Sequence, residues 1–162
     1  MKIKSPLVNK KEVMPRCEAG ADELFCGIEP YYWRRKYKNF SINQRSSGAN
    51  FTKLADLEKA ISIAHRYKVK LHVAVNAFFY LEEQYQMLKK IIRDILNVGA
   101  DGIIFAEPTL LLNMDKTLLK NKDVVIGCDA VILNSAAVEL YKKLGATRVV
   151  LPRSMTIQEM EE

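Results

Sequence analysis

The chain has 162 residues, 49% hydrophobic and 27% charged, which suits one globular domain with a real core. No apolar run approaches the roughly 20 residues of a membrane span, and the opening MKIKSPLVNKKEV lacks the apolar stretch of a secretory signal. Three cysteines without close pairing argue against a disulfide scaffold and for a reducing, cytoplasmic setting.

The formal net charge of +6 is local. Between Glu29 and Asp56 there is no acid, but there are Arg34, Arg35, Lys36, Lys38, Arg45 and Lys53, and these six bases equal the whole excess. Positive charge gathered in one segment predicts an anionic partner, with RNA among the candidates.

In chain order, six short apolar runs read as strands near residues 2–8, 23–28, 70–76, 102–107, 123–128 and 147–152. A phrase recurs before three of them, in EAGADELFCGI, NVGADGIIFAEP and KLGATRVVLPR. Its glycines, Gly20, Gly99 and Gly145, fit the position just past a helix, where a left-handed backbone is cheapest for glycine. Helices are expected between the strands. FTKLADLEKAISIAHRY carries Leu54, Leu57, Ile61 and Ala64 at helical spacing, and EEQYQMLKKIIRDILNV places Tyr85, Leu88, Ile91, Ile92, Ile95 and Leu96 on one face. NSAAVELYKKLG starts at a capping Asn134 or Ser135, and TIQEMEE reads as the first turn of a further helix. The stretch from Gly27 to Phe51 reads as a long, cationic and aromatic connection between the second strand and the next helix.

Strand–helix alternation predicts a parallel sheet with right-handed crossovers. An open doubly wound sheet and a barrel both satisfy it. The absence of G-x-G-x-x-G and G-x-x-x-x-G-K-[ST] removes the commonest phosphate loops of open sheets. Strands ending in Cys26, Asn76, Glu107, Cys128 with Asp129, and Arg153 lean toward a barrel, whose strand ends converge on one chemical rim.

Taken in order, EAGADELFCGI, NQRSSGANFTKLADLEKAISIAH with VKLHVAVNAFF, GADGIIFAEPTLL and LGATRVVLPRSMTIQEM resemble the collagenase-like peptidase family U32 along essentially the whole chain. The resemblance implies an α/β, TIM-barrel-like fold truncated to about six parallel βα units, with residues 1–162 as one partial domain from the N-terminal side of the barrel. It implies chemistry as well. Several members are implicated in oxygen-independent hydroxylation of RNA bases or ubiquinone precursors, and some carry a four-cysteine iron–sulfur cluster. Those cysteines would lie beyond LPRSMTIQEM, so no cofactor and no metal site is expected in this chain itself. Arg45, Asn76 and Arg153 match family positions, whereas Glu107 and Thr109 stand where the family has an aspartate and a glycine.

The site expected on these grounds is a rim set of Asn76, Glu107, Asp129 and Arg153, with Trp33, Arg34, Arg35 and Arg45 binding substrate. Carboxylates there would move protons and an arginine would clamp an anion. Each alone also suits a cap or a surface pair, and Asp129 especially so. His72 shares strand parity with Asn76 and is expected inside the barrel, either as acid–base group or as a neutral, hydrogen-bonded core residue. The cysteines read as packing residues. No Ser-His-Asp, Cys-His or H-E-x-x-H pattern supports a peptidase mechanism. Three functions compete: an enzyme acting on RNA or a small aromatic anion, a peptidase, and a partial barrel completed by a second copy or by a partner chain. A full barrel takes about 250 residues, so six units leave two strand edges to be paired or covered.

Overall fold

A computed structural model describes residues 1–46 and 48–161. The six expected strands form as β1 (Lys4–Pro6), β2 (Glu23–Ile28), β4 (Lys70–Val75), β5 (Gly102–Phe105), β6 (Asp123–Ile126) and β7 (Arg148–Val149). A two-residue strand, β3 (Asn50–Phe51), adds to the end of β2. Every pairing is parallel and the order is β1-β2-β4-β5-β6-β7, with β3 beside β2. The order follows the chain without reversal. A doubly wound sheet reverses part-way, so this is the barrel alternative. It is a half-barrel of six parallel strands with alternating helices.

Curvature can be read from one ion pair. Arg148 on β7 donates two hydrogen bonds, at 2.5 and 2.9 Å, to the carboxylate of Glu23 on β2. Four strand spacings separate those strands, which in a flat sheet is about 19 Å. The two side chains together cannot bridge that gap, so the sheet wraps around its own inner face.

The alternating strand residues define two layers. Phe25, Ala74, Ile104 and Val125 pack together on the inner face. The main core lies outside, where Leu24, Cys26, Ile28, Val73, Ile103, Phe105 and Ile126 meet the helices. The helices are α1 (Val13–Glu18), α2 (Tyr31–Lys36), α3 (Leu54–Arg66), α4 (Tyr85–Asn97), α5 (Pro108–Leu112), α6 (Lys116–Leu119), α7 (Ser135–Leu144) and α8 (Ile157–Glu161). α8 occupies the predicted final turn, whose last residue, Glu162, lies outside the described residues. α3 buries Leu57, Ile61 and Ala64 of its predicted face together with Ala60, and α4 buries Leu88, Ile91, Ile92, Ile95 and Leu96, while Leu54 and Tyr85 are only partly buried.

The connection after β2 differs from its expected form. It contains α2, and Trp33 within it is fully buried against Tyr37, with ring centroids 4.6 Å apart and the indole N–H donating to the Phe40 carbonyl at 2.7 Å. Burying so large a ring anchors the segment against the core. The connection is also tied to the loop after β4. Tyr80 Oη donates to the Ile42 carbonyl at 2.7 Å, Tyr37 Oη to the Glu83 carbonyl at 3.2 Å, and Phe40 meets Phe79 edge-on at 6.3 Å.

Candidate functional site

Below the rim, the inner face carries a polar floor. Glu23 is nearly buried and holds Arg148, with Lys4 Nζ 3.8 Å away. His72 is fully buried, and its Nε2 lies 2.9 Å from Asp123 Oδ2. The strand between them, β5, supplies Gly102 at that level, and a Cβ there would fall 2.1 Å from the Asp123 carbonyl oxygen and 2.7 Å from its Cβ. The missing side chain lets Asp123 lean over β5 to reach β4. Burial lowers the His72 pKa, which favours a neutral ring donating from Nε2. The hydrogen bond from Arg148 leads in holding Glu23 below its ordinary value. This floor matches the hydrogen-bonded core role expected for His72.

Above it, at the carboxyl ends of the strands, lies a cavity of about 450 Å³ lined by Lys4, Phe25, Arg45, Asn76, Cys128 and Asp129, among others. Asn76 follows the end of β4, and Asp129 sits in the 3₁₀ turn Cys128–Ala130 after β6. The Asn76 amide donates to Asp129 Oδ2 at 2.6 Å, and its carbonyl oxygen accepts the Gln44 N–H at 3.3 Å. Holding both ends of the amide fixes its orientation. Asp129 Oδ1 has no hydrogen-bond partner among the described residues, which leaves one carboxylate oxygen for a ligand.

Arg45 forms another part of the wall. Its Nε donates to the Ala49 carbonyl at 2.9 Å and its Nη2 to the Leu7 carbonyl at 2.6 Å, and the guanidinium lies 5.2 Å from the Phe25 ring centre. Lys4 Nζ approaches the same ring at 5.9 Å. Burial draws both cations' pKa values below their ordinary levels. The arginine fits so close to β2 because Gly27 is there: a Cβ at that position would lie 2.7 Å from Arg45 Cδ and 2.0 Å from Asn50 Oδ1.

The structure therefore brings together three of the sequence-predicted residues, Asn76, Asp129 and Arg45. The others lie elsewhere. Glu107 caps α5, accepting from the Thr109 and Leu110 N–H groups at 2.8 and 2.6 Å, with Tyr85 Oη at 3.2 Å. Trp33 is core, Arg34 pairs with Glu29 at 2.6 Å, and Arg35 and Arg153 are exposed away from the cavity. Lys4, Phe25 and Gln44 belong to the cavity and were not singled out by sequence. Nothing in the sequence marked the first two: Lys4 lies near the chain start, and Phe25 has the opposite strand parity to Cys26, the residue read as the end of its strand.

Among the described residues no group of three His, Cys, Asp or Glu side chains is placed to hold a metal ion. Cys17 lies in α1, Cys26 faces the outer core with burial pushing its thiol up to about 12, and Cys128 stands at the rim. No helix among the described residues is long and apolar enough to cross a membrane.

Residues 8–162 match the model of peptidase family U32. The chain belongs to this family. Its relatives include tRNA hydroxylation protein P1 of Bacillus subtilis (strain 168), 27% identical over 161 residues, and tRNA hydroxylation protein P of Haemophilus influenzae, 28% identical over 161 residues. Each alignment covers 98% of this chain but 35% and 31% of the relative, so the chain spans about a third of the length of these proteins. A collagenase of Porphyromonas gingivalis is 23% identical, over 98% of this chain and 34% of its own length. Among solved structures, the U32 peptidase Mk0906 superposes with a TM-score of 0.65 at 13% identity, covering 93% of this chain and 58% of that one. Phosphonopyruvate hydrolase gives 0.60 at 14% identity, covering 99% and 61%. At such identities the shared feature is the fold.

Proposed function

We propose that this U32 half-barrel is the substrate-binding part of an RNA-modifying enzyme of the hydroxylation type, with an RNA base seated in the strand-end cavity. The observation that carries it is the pairing, in one cavity, of a flat aromatic and cationic wall with a fixed polar pair. The Phe25 ring with Arg45 and Lys4 suits an electron-rich planar ring. The Asn76–Asp129 pair presents acceptors to a base edge and a carboxylate able to take a proton. The names of the tRNA hydroxylation relatives support the same substrate class.

The peptidase alternative draws little from this cavity. Cys128 lines it, but neither His65 nor His72 does, so no thiol–imidazole pair meets a substrate there. Gelatin cleavage by the purified chain would favour the peptidase.

Binding to unmodified tRNA over a salt series tests the proposal. Affinity is expected to fall steeply with salt, and the double variant Arg35→Ala, Lys38→Ala, at two exposed cations, is expected to reduce the log–log slope by about 1.5. Asp129→Asn is expected to keep tRNA affinity and remove base modification in the full-length enzyme. Salt-independent binding, or full modification by Asp129→Asn, would sink the proposal.

A further inference from the structure

Arg45 borders two cavities. The second, of about 440 Å³, is lined by Glu29, Arg34, Lys38, Ser41 and Asn50 together with Arg45 itself. The chemistry of the two differs. The strand-end cavity mixes apolar walls with a donor–acceptor pair, whereas the second sets the Tyr37 and Phe40 rings beside polar side chains most of which can donate. Its three cations face a single carboxylate, Glu29, which Arg34 already pairs at 2.6 Å. Lys38 is exposed and has no carboxylate partner among the described residues. Arg45 is half-buried and is held only by carbonyl oxygens, leaving Nη1 without a protein acceptor among them. Asn50 uses its side-chain oxygen to accept from Asn43 at 3.0 Å, which leaves its amide N–H groups for something else.

A half-buried guanidinium with no carboxylate hydrogen-bonded to it gains when an anion joins it. Such donors select a ligand made of acceptors, and a phosphodiester is acceptor-only and negatively charged. We propose that the second cavity is a phosphate subsite. It holds the phosphate of the same nucleotide whose base enters the strand-end cavity, with Arg45 as the shared wall. Arg34 is locked to Glu29 and sets the shape of the subsite, while Lys38 and Arg45 supply the unpaired charge. The inference rests on the base-binding reading of the first cavity and adds to it where the sugar–phosphate leaves the barrel mouth.

Calorimetric titration with the four ribonucleosides, their 3′- and 5′-monophosphates, and inorganic phosphate tests it on the chain itself and on Lys38→Glu, a surface change that spares the core. At least one monophosphate is expected to bind more tightly than its nucleoside. Lys38→Glu is expected to weaken that monophosphate by about tenfold and leave the nucleoside unchanged. Equal losses for both ligands, or none for either, would overturn the phosphate subsite while nucleoside binding kept the base site standing. If inorganic phosphate binds and Lys38→Glu abolishes this while no nucleoside binds, the subsite stands and the base-binding reading falls. If no nucleoside, monophosphate or phosphate binds, both fall.

Discussion

Asp123 and His72 meet across β5 because Gly102 has no side chain between them, and Arg45 lies against β2 because Gly27 has none. Both glycines have ordinary negative φ, so it is space and not backbone freedom that each supplies. Gly102→Ala would push a methyl group into backbone that cannot rotate away, and overpacking of this kind costs about 2–3 kcal/mol. Urea unfolding is expected to show that loss, and a stability within 0.5 kcal/mol of the parent, the usual range for neutral changes, would contradict the close approach. Asn76, which lines the cavity, was legible as a rim residue because it is a polar side chain at the end of an apolar strand and shares inward parity with His72 and Ala74. Lys4 and Phe25 were not, since a lysine near the start of a chain and a phenylalanine in a strand carry no mark of facing a cavity. Glu107 looked like its neighbours on the rim, but proline at 108 starts α5 and turns the carboxylate back onto the helix's free N–H groups.

At the scale of elements, punctuation was readable because it is local. Gly20, Gly99 and Gly145 all take positive φ, at 90°, 100° and 103°, where the recurring Gly-Ala phrase placed them. Asn134 accepts from the Ala137 N–H at 2.9 Å and starts α7. Asn134→Ala is expected to cost about 1 kcal/mol and lower Tm by about 2–4 °C, measurable by thermal unfolding, with no effect if the cap is idle. α2 escaped notice for a physical reason. Six residues make too few turns to show a helical period, and YYWRRK looks like a nucleic-acid handle on composition alone. Its tryptophan went to the core, one arginine to Glu29 and one lysine over the Tyr37 ring at 5.0 Å, so part of the segment's charge serves its own folding.

For the whole molecule, the Glu23–Arg148 pair joins residues 125 apart in the chain and ties the second strand to the last. Glu23 is nearly buried while Arg148 is 40% exposed, which places the loss on removing the carboxylate below the range for fully buried pairs, at about 2 kcal/mol. Glu23→Gln is expected to lose that at pH 7. The pH dependence follows from the direction of the shifts. Glu23 has its folded pKa below the ordinary 4.5, so its contribution is complete above 4.5 and disappears as pH falls through the folded value. His72 has its folded pKa below the ordinary 6.5, so the unfolded chain takes up the proton first and stability declines as pH drops below 6.5. Denaturant curves at pH 7, 5.5 and 3.5 are expected to show both declines. Glu23→Gln should shrink the lower one, where Asp123 still contributes, and keep the upper, which extends to lower pH once Glu23 no longer favours the charged His72 ring. Parallel curves for parent and variant throughout would refute the assignment.

The sequence by itself determined the strands, most helices and their caps, because period and punctuation act within a few residues. It also located the excess charge and ended one strand on Asn76. Its periodicity could not decide between barrel and open sheet, because alternation is common to both and only strand order and curvature separate them. The resemblance to family U32 pointed to the truncated barrel that the strand order bears out. The sequence could not sort the rim residues either. Whether a carboxylate faces a cavity or caps a helix, and whether an arginine is free or held by carbonyls, depends on partners brought close only when the sheet curves. That is why Asp129, Asn76 and Arg45 share one cavity while Glu107, Trp33 and Arg153, equally plausible on paper, do not.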